Sequence, residues 1–272
     1  ITSTSILQDP LVTPAAAPNG PTPARRRLVL ASTLGTAIEH YDFFCYAFIA
    51  PIAFGATFFP KMDALAGNLA VYATFAVGFA SRPLGGVVFG HFGDRVGRKV
   101  VLMATLLMMG IASFLIGCLP TYASAGLLAP LMLIVLRFLQ GVAFGGEYMN
   151  AVTLTLEGAP TKRRGLFASL INASGPAGIV VASGVIAMLT GIFGNQAFQE
   201  WGWRIPFLLS ILLVAIGTYV RAHVDESLLF KKAQANEQIA KMPILEVLKS
   251  WKLATLPAVL INMVHSSFQY LI

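Results

Sequence analysis

The sequence predicts an all-α integral membrane protein, a six-helix bundle followed by a connector and most of a seventh transmembrane helix. Three observations lead there. Only 11% of the 272 residues are charged while 56% are hydrophobic. A soluble domain carries about 25% charged residues, so the supply is too small to build a surface that faces water. The apolar residues form continuous runs at about 28–58, 66–90, 100–119, 127–156, 166–193, 204–222 and 254–272, each near the roughly 20 residues that cross the hydrocarbon as a helix. The runs do not alternate, which favours helices over barrel strands, and a helix satisfies its own backbone in lipid.

Taken in order, residues 1–27 read as a disordered cytoplasmic tail, with Pro10, Pro14, Pro18, Pro21 and Pro23 among small polar residues. Arg25, Arg26 and Arg27 resemble the basic start of a signal peptide. The run behind them is too long for one, holds Glu39, His40 and Asp42, and has no A-x-A cleavage site, so it is a membrane helix. The second run carries Gly78, Arg82, Gly86 and Gly90 at four-residue intervals, a glycine stripe that turns Arg82 into the bundle, with a kink expected at Pro83. Between the second and third runs lies GHFGDRVGRK (90–99). Gly90, Gly93 and Gly97 suit a tight reversal, and Asp94, Arg95, Arg98 and Lys99 can clamp helix ends. Its spacing is neither G-x-G-x-x-G nor Walker A. Gly141 and Gly145 form a small-residue seam on the fourth run, and NASGPAG (172–178) makes the fifth kinkable. Residues 28–222 are thus the bundle and 223–253 a cytoplasmic connector. Residues 254–272 are a truncated seventh helix with Asn262, Ser266 and Gln269 on one face beside His265. The initial Ile and the end inside an apolar run suggest a fragment.

Charge placement sets orientation and excludes some functions. Fifteen Lys and Arg fall in the tail, the second and fourth loops and the stretch after the sixth run; two, Lys61 and Arg204, lie on the opposite side. That bias puts the N-terminus in the cytoplasm. Trp201, Trp203 and Phe198 would sit in an aromatic belt at the outer interface. The net charge of +7 sits in clusters between spans, which argues against nucleic-acid binding. Cys45 and Cys118 occupy different runs, so neither a disulfide framework nor a metal site is expected. No nucleophile–base pair, metal-ligand cluster or cofactor loop is present, so neither an enzyme nor a cofactor is expected.

Ionisable residues inside membrane helices are costly and mark function. Glu39 is eleven residues past Leu28, about 16 Å along the axis and near mid-bilayer, with Asp42 one turn on. Two such acids cannot both stay ionised cheaply, so Glu39 and Asp42 are candidate proton carriers, with Glu147 a third. On the fourth run Arg137, Gln140 and Gly141 share a face. Glu147 lies about 15 Å further and off that face, so Arg137 needs a partner on another helix, for which the first-span acids are the candidates, or a bound anion. Arg137, Gln140, Tyr41 and Arg82 are the candidate substrate residues.

Several stretches resemble one family. G-x-x-x-D-R-x-G-R-K after the second helix is similar to the signature loop of the major facilitator superfamily, and Arg137-x-x-Gln140-Gly141 to its fourth-helix motif. EHYDF (39–43), RPLGG (82–86), GGEY (145–148), EGAPTKRRG (157–165), WGWRIPF (201–207) and DESLLF (225–230) resemble the metabolite:proton symporter branch, which includes shikimate, α-ketoglutarate, citrate and proline/betaine carriers. The resemblance implies twelve helices in two halves, each an inverted 3+3 repeat, of which this chain would be the N-terminal half. It implies that Gly90, Asp94, Arg95, Gly97, Arg98 and Lys99 act as a gate latch, with Asp94 bracing the missing C-terminal half and Arg95 pairing with Glu157. The expected activity is proton-coupled uptake of a small organic acid or zwitterion across a bacterial inner membrane. The alternative is a half-bundle without transport.

Overall fold

The computed structural model describes residues 23–159 and 163–223, with side chains from Ser32 onward except at Met149, Glu157 and Gly158. Most of the expected tail and connector and all of the seventh helix lie outside the described residues. Helix begins at Pro23, inside the segment expected to be tail; proline's fixed φ and missing N–H suit a first turn.

Among the described residues six helices are long and apolar enough to cross a bilayer: span 1 (Ser32–Phe58), span 2 (Ala64–Val96), span 3 (Arg98–Cys118), span 4 (Leu128–Leu156), span 5 (Arg164–Gly202) and span 6 (Arg204–Ala222). They match the first six expected runs, with spans 2 and 5 longer than expected. Span 2 continues through Gly90 and Gly93 to Val96, so the reversal into span 3 is made by one residue, Gly97. Its φ of 112° and ψ of 146° belong to a region essentially reserved for glycine. Gly97→Ala is expected to cost about 1–3 kcal/mol, read as a lowered unfolding midpoint in detergent.

Prolines shape the other irregularities. Pro51 removes a donor and span 1 widens to a π-turn over Ala50–Phe54. Span 2 is interrupted at Ser81, just before Arg82-Pro83, where the kink was expected. Span 5 carries Pro176 internally and a non-helical Gly194 at φ 78°.

Span 1 packs on spans 5 and 6, span 4 on spans 2 and 3, and span 3 on span 6. Exchanging 1 with 4, 2 with 5 and 3 with 6 maps this set of neighbours onto itself, the packing topology of an inverted 3+3 repeat. Spans 2 and 4 meet backbone to backbone. A side chain at Gly141 would strike the Gly78 carbonyl, one at Gly85 the Val142 carbonyl, and one at Gly145 the Arg82 carbonyl. The expected small-residue seam is therefore real and has partners on span 2.

The aromatic belt is corrected. Trp201 is exposed, but Trp203 and Phe198 are fully buried. Trp203 packs with Phe54, Phe58 and Phe207, ring centroids 5.1–6.2 Å apart. The π-turn Phe198–Gly202 folds back at the join of spans 5 and 6 and draws both rings inward.

Candidate functional site

Buried polar residues form two networks at different depths. The first is built on span 4, where i, i+3 spacing places Arg137 and Gln140 on one face. Arg137 Nη1 donates to Gln140 Oε1 at 3.1 Å, and Gln140 Nε2 donates to Ser113 Oγ of span 3 at 2.7 Å. Ser113 Oγ donates to Asp42 Oδ2 of span 1 at 2.9 Å, and Ser210 Oγ of span 6 donates to Asp42 Oδ1. Arg137 and Asp42, both nearly inaccessible, are thus joined through two intervening side chains and not by direct contact.

The Arg137 guanidinium lies 3.9 Å from the centroid of the Tyr46 ring, 4.9 Å from Phe75 and 5.2 Å from Phe43. Such faces stabilise a desolvated cation. Gly78 leaves it room: a Cβ there would come within 2.8 Å of Arg137 Nε. Arg137 Nε and Nη2 have no hydrogen-bond partner among the described residues. A narrow crevice of about 10 Å³, room for about one water, opens beside them, lined by Arg137, Gln140, Arg82, Met109, Phe43 and Phe144. The Arg82 guanidinium sits among the rings of Phe43, Phe79 and Phe144 at 4.6, 4.1 and 4.1 Å. That is far below the roughly 300–1,000 Å³ of a complete ligand pocket, so these residues can be at most one wall of a site.

The second network lies toward the end of the bundle that carries Arg95, Arg98 and Lys99, hereafter the basic end. Arg221, the penultimate residue of span 6, is 3% exposed. Its Nη2 pairs with Glu147 Oε1 of span 4, and its Nη1 donates to the Leu102 carbonyl of span 3 at 2.7 Å. Glu147 Oε2 accepts from Thr105 Oγ1 at 2.9 Å. Glu39 Oε1 is 3.9 Å from the same Arg221 Nη2.

Four of the expected site residues therefore converge at one crevice or its network: Arg137, Gln140, Arg82 and Asp42. Others do not. Tyr41 turns toward span 6, its hydroxyl 3.4 Å from the Pro206 carbonyl. Glu39 and Asp42, expected as a pair, belong to separate networks. In the reversal, Asp94 pairs with Arg98 at 3.5 Å, Lys99 Nζ donates to the Ala222 carbonyl at 2.7 Å, and Arg95 is exposed. The Glu157 side chain lies outside the described residues, so its pairing with Arg95 stays an expectation. Nothing lies within 4 Å of a Cβ at Gly90, while Gly93 abuts Asn150.

Sequence reasoning missed Ser113, Ser210, Thr105 and Arg221. The three hydroxyls sit singly in apolar runs and carried no signal. Arg221 was counted with the connector although the sixth run extends to residue 222. Among the described residues no three His, Cys, Asp or Glu side chains gather as a metal site would require.

A bundle of six apolar helices around buried charge and an aromatic crevice defines a polytopic membrane protein of the transporter class. Residues 28–259 match the family model described as sugar (and other) transporter, and the chain belongs to that family. It is 45% identical over 224 residues to the inner membrane metabolite transport protein YhjE of Escherichia coli (strain K12), covering 82% of this chain and 51% of that protein. It is 43% identical over 225 residues to the shikimate transporter of the same strain, with 82% and 51% covered. The proline/betaine transporter of Salmonella typhimurium (strain LT2) is 40% identical over 207 residues, with 76% and 41% covered. The chain spans about half the length of the curated relatives it matches. Among solved structures, the inward open xylose transporter XylE from E. coli superposes with a TM-score of 0.68 at 17% identity, covering 89% of this chain and 56% of that one. XylE bound to 6-bromo-6-deoxy-D-glucose gives 0.70 at 16%, covering 91% and 54%. Both are major facilitator proteins, so the six helices have the fold of one half of such a transporter. The family and these relatives are transport proteins, not enzymes.

Proposed function

We infer that the chain is the N-terminal half of a proton-coupled symporter for a small organic acid or zwitterion, of the kind named by the shikimate and proline/betaine relatives. The observation that carries this reading is Arg137, a buried guanidinium with two nitrogens unspent among the described residues, lining a crevice. A guanidinium binds a carboxylate bidentately, and the aromatic faces beside it suit a ring or an aliphatic body. Gln140 orients the guanidinium, and Arg82 contributes a second positive charge to the same wall. Protons would be carried by Glu39, Asp42 or Glu147. A second six-helix half would form the opposite wall, and rocking of the halves would expose the site alternately. The Asp94 to Lys99 reversal, with Arg95 and Glu157, would latch the basic end. That end would face the cytoplasm of a bacterium, with the bundle in its inner membrane.

The test is uptake of labelled shikimate, 2-oxoglutarate, proline and glycine betaine by cells expressing the complete open reading frame, with an imposed pH gradient. Accumulation of one of them, abolished by a protonophore, is expected. Arg137→Gln should weaken the apparent affinity roughly 10- to 100-fold, the worth of a hydrogen bond to a charged group. Uptake of none of them favours a half-bundle without transport, and uptake indifferent to the gradient rejects the proton coupling.

A further inference from the structure

Glu39, Glu147 and Arg221 bring two carboxylates and one guanidinium together on three different spans, each at most 3% exposed. The two acids are not equivalent. Glu147 is fully engaged, by Arg221 on one oxygen and Thr105 on the other. Both oxygens of Glu39 are buried without a hydrogen-bond partner among the described residues. Its nearest cation, Arg221 Nη2 at 3.9 Å, is beyond hydrogen-bond reach and already committed to Glu147. Among the described residues Arg221 is the cation within 4 Å of it. On its own helix His40 bonds its Nδ1 to the Thr36 carbonyl at 2.7 Å and stacks toward Phe144, and Asp42 is held by Ser113 and Ser210. Span 3 brings Thr105 to Glu147 and the Leu102 carbonyl to Arg221. Span 5 has no ionisable side chain between Arg164 and Glu200. An ionised carboxylate in such a place is paired or coordinated; a lone one takes a proton. One proton on Glu39 also brings the cluster's formal charge to zero.

Gly35 supplies the remaining piece. A Cβ at Gly35 would overlap the Arg221 guanidinium, so this glycine is what lets the cation slide between spans 1 and 6 to reach both acids. We propose that Glu39, Glu147 and Arg221 form the proton-binding centre of the transporter at the basic end, apart from the Arg137 crevice, with Glu39 the proton carrier and Arg221 a positioning residue. When Glu39 gives its proton to water its O–H bond breaks and the electron pair stays on the carboxylate. Arg221, cationic throughout, then has two anions competing for it. Its hold on Glu147 loosens, and with it the contact that ties the end of span 6 to spans 3 and 4. The proposal rests on the symport reading above and narrows it to one carboxylate.

Two measurements decide it. In lipid-reconstituted protein at neutral pH, infrared difference spectra should show the carbonyl band of a buried protonated carboxyl, lost in Glu39→Gln and kept in Asp42→Asn. The three atoms nearest a Cβ at Gly35 all belong to the far end of the Arg221 side chain, which can give way, so Gly35→Ala should fold. It should move the pH at which that band disappears upward, because the cation is pushed away from the carboxylate. A band that survives Glu39→Gln, or is absent from the unaltered protein, overturns the assignment whatever the protein transports. If Glu39→Gln does not fold, the Gly35→Ala midpoint decides, and an unmoved midpoint overturns it. In uptake assays folded Glu39→Gln should keep substrate exchange across the membrane but lose accumulation driven by a pH gradient. Accumulation that persists, or exchange lost together with it, overturns the coupling role while leaving the transport reading intact. Loss of both in Arg137→Gln alone bears on the substrate site.

Discussion

Replacing Arg221 by glutamine should destabilise the bundle by about 3–5 kcal/mol, the penalty measured when one partner of a buried ion pair is removed and the other stays behind uncompensated. Glu147 would be the stranded group. Its bond from Thr105 remains, but one neutral donor does not replace a guanidinium. The Leu102 carbonyl also loses its donor from span 6. The double variant Arg221→Gln, Glu147→Gln should recover most of the loss, because no unpaired charge remains and two amides can bond to each other. Unfolding monitored by circular dichroism in detergent, with the single and double variants side by side, provides the comparison. A single variant as stable as the parent would mean that water reaches Glu147 and the pair is not truly desolvated.

The second large effect is expected at Trp203. Truncation to alanine removes the largest fully buried side chain described, at the point where Phe54, Phe58 and Phe207 meet edge to face. Large-to-small changes of this kind cost about 3–5 kcal/mol, since rigid neighbours close in only partly on the cavity. The edge-to-face geometry adds to the loss. Trp203→Phe, which keeps a ring in the pocket, should give back more than half. Arg204 lies over the same indole at 4.5 Å and donates to the Gly117 and Leu119 carbonyls of span 3, so the truncation should also loosen the join between spans 3 and 6. Retained expression with an unchanged unfolding midpoint would show that the pocket collapses freely.

Both residues were misplaced in the reading from sequence, and for the same physical reason. Each lies at the end of an apolar run, where a tryptophan is expected at the lipid interface and an arginine in the flanking loop. Depth in a bundle depends on which helix covers the end, and periodicity in one segment does not carry that. The first six spans, the kink at Arg82-Pro83 and the Gly141 seam were legible because length, proline chemistry and side-chain volume act locally. The convergence of Arg137, Gln140 and Arg82 on one crevice was legible because an arginine in a membrane helix must turn inward. The split of Glu39 from Asp42 was not. They are one turn apart, but span 6 delivers Ser210 to one and Arg221 to the other.

That late delivery bears on how the chain is made. Asp42 and Glu39 leave the ribosome long before the residues of span 6 that stabilise them, Arg221 being 182 positions behind Glu39. At about 5–20 residues per second the wait is roughly ten to forty seconds. Through that interval the nascent first helix carries Glu39 with no cation and Asp42 with at most the Ser113 hydroxyl, so it should either linger beside the insertion machinery or enter the bilayer with both carboxyls neutral. The crosswise pairing of the two helix triplets makes this unavoidable, because neither triplet can complete its own interior before the other has been synthesised.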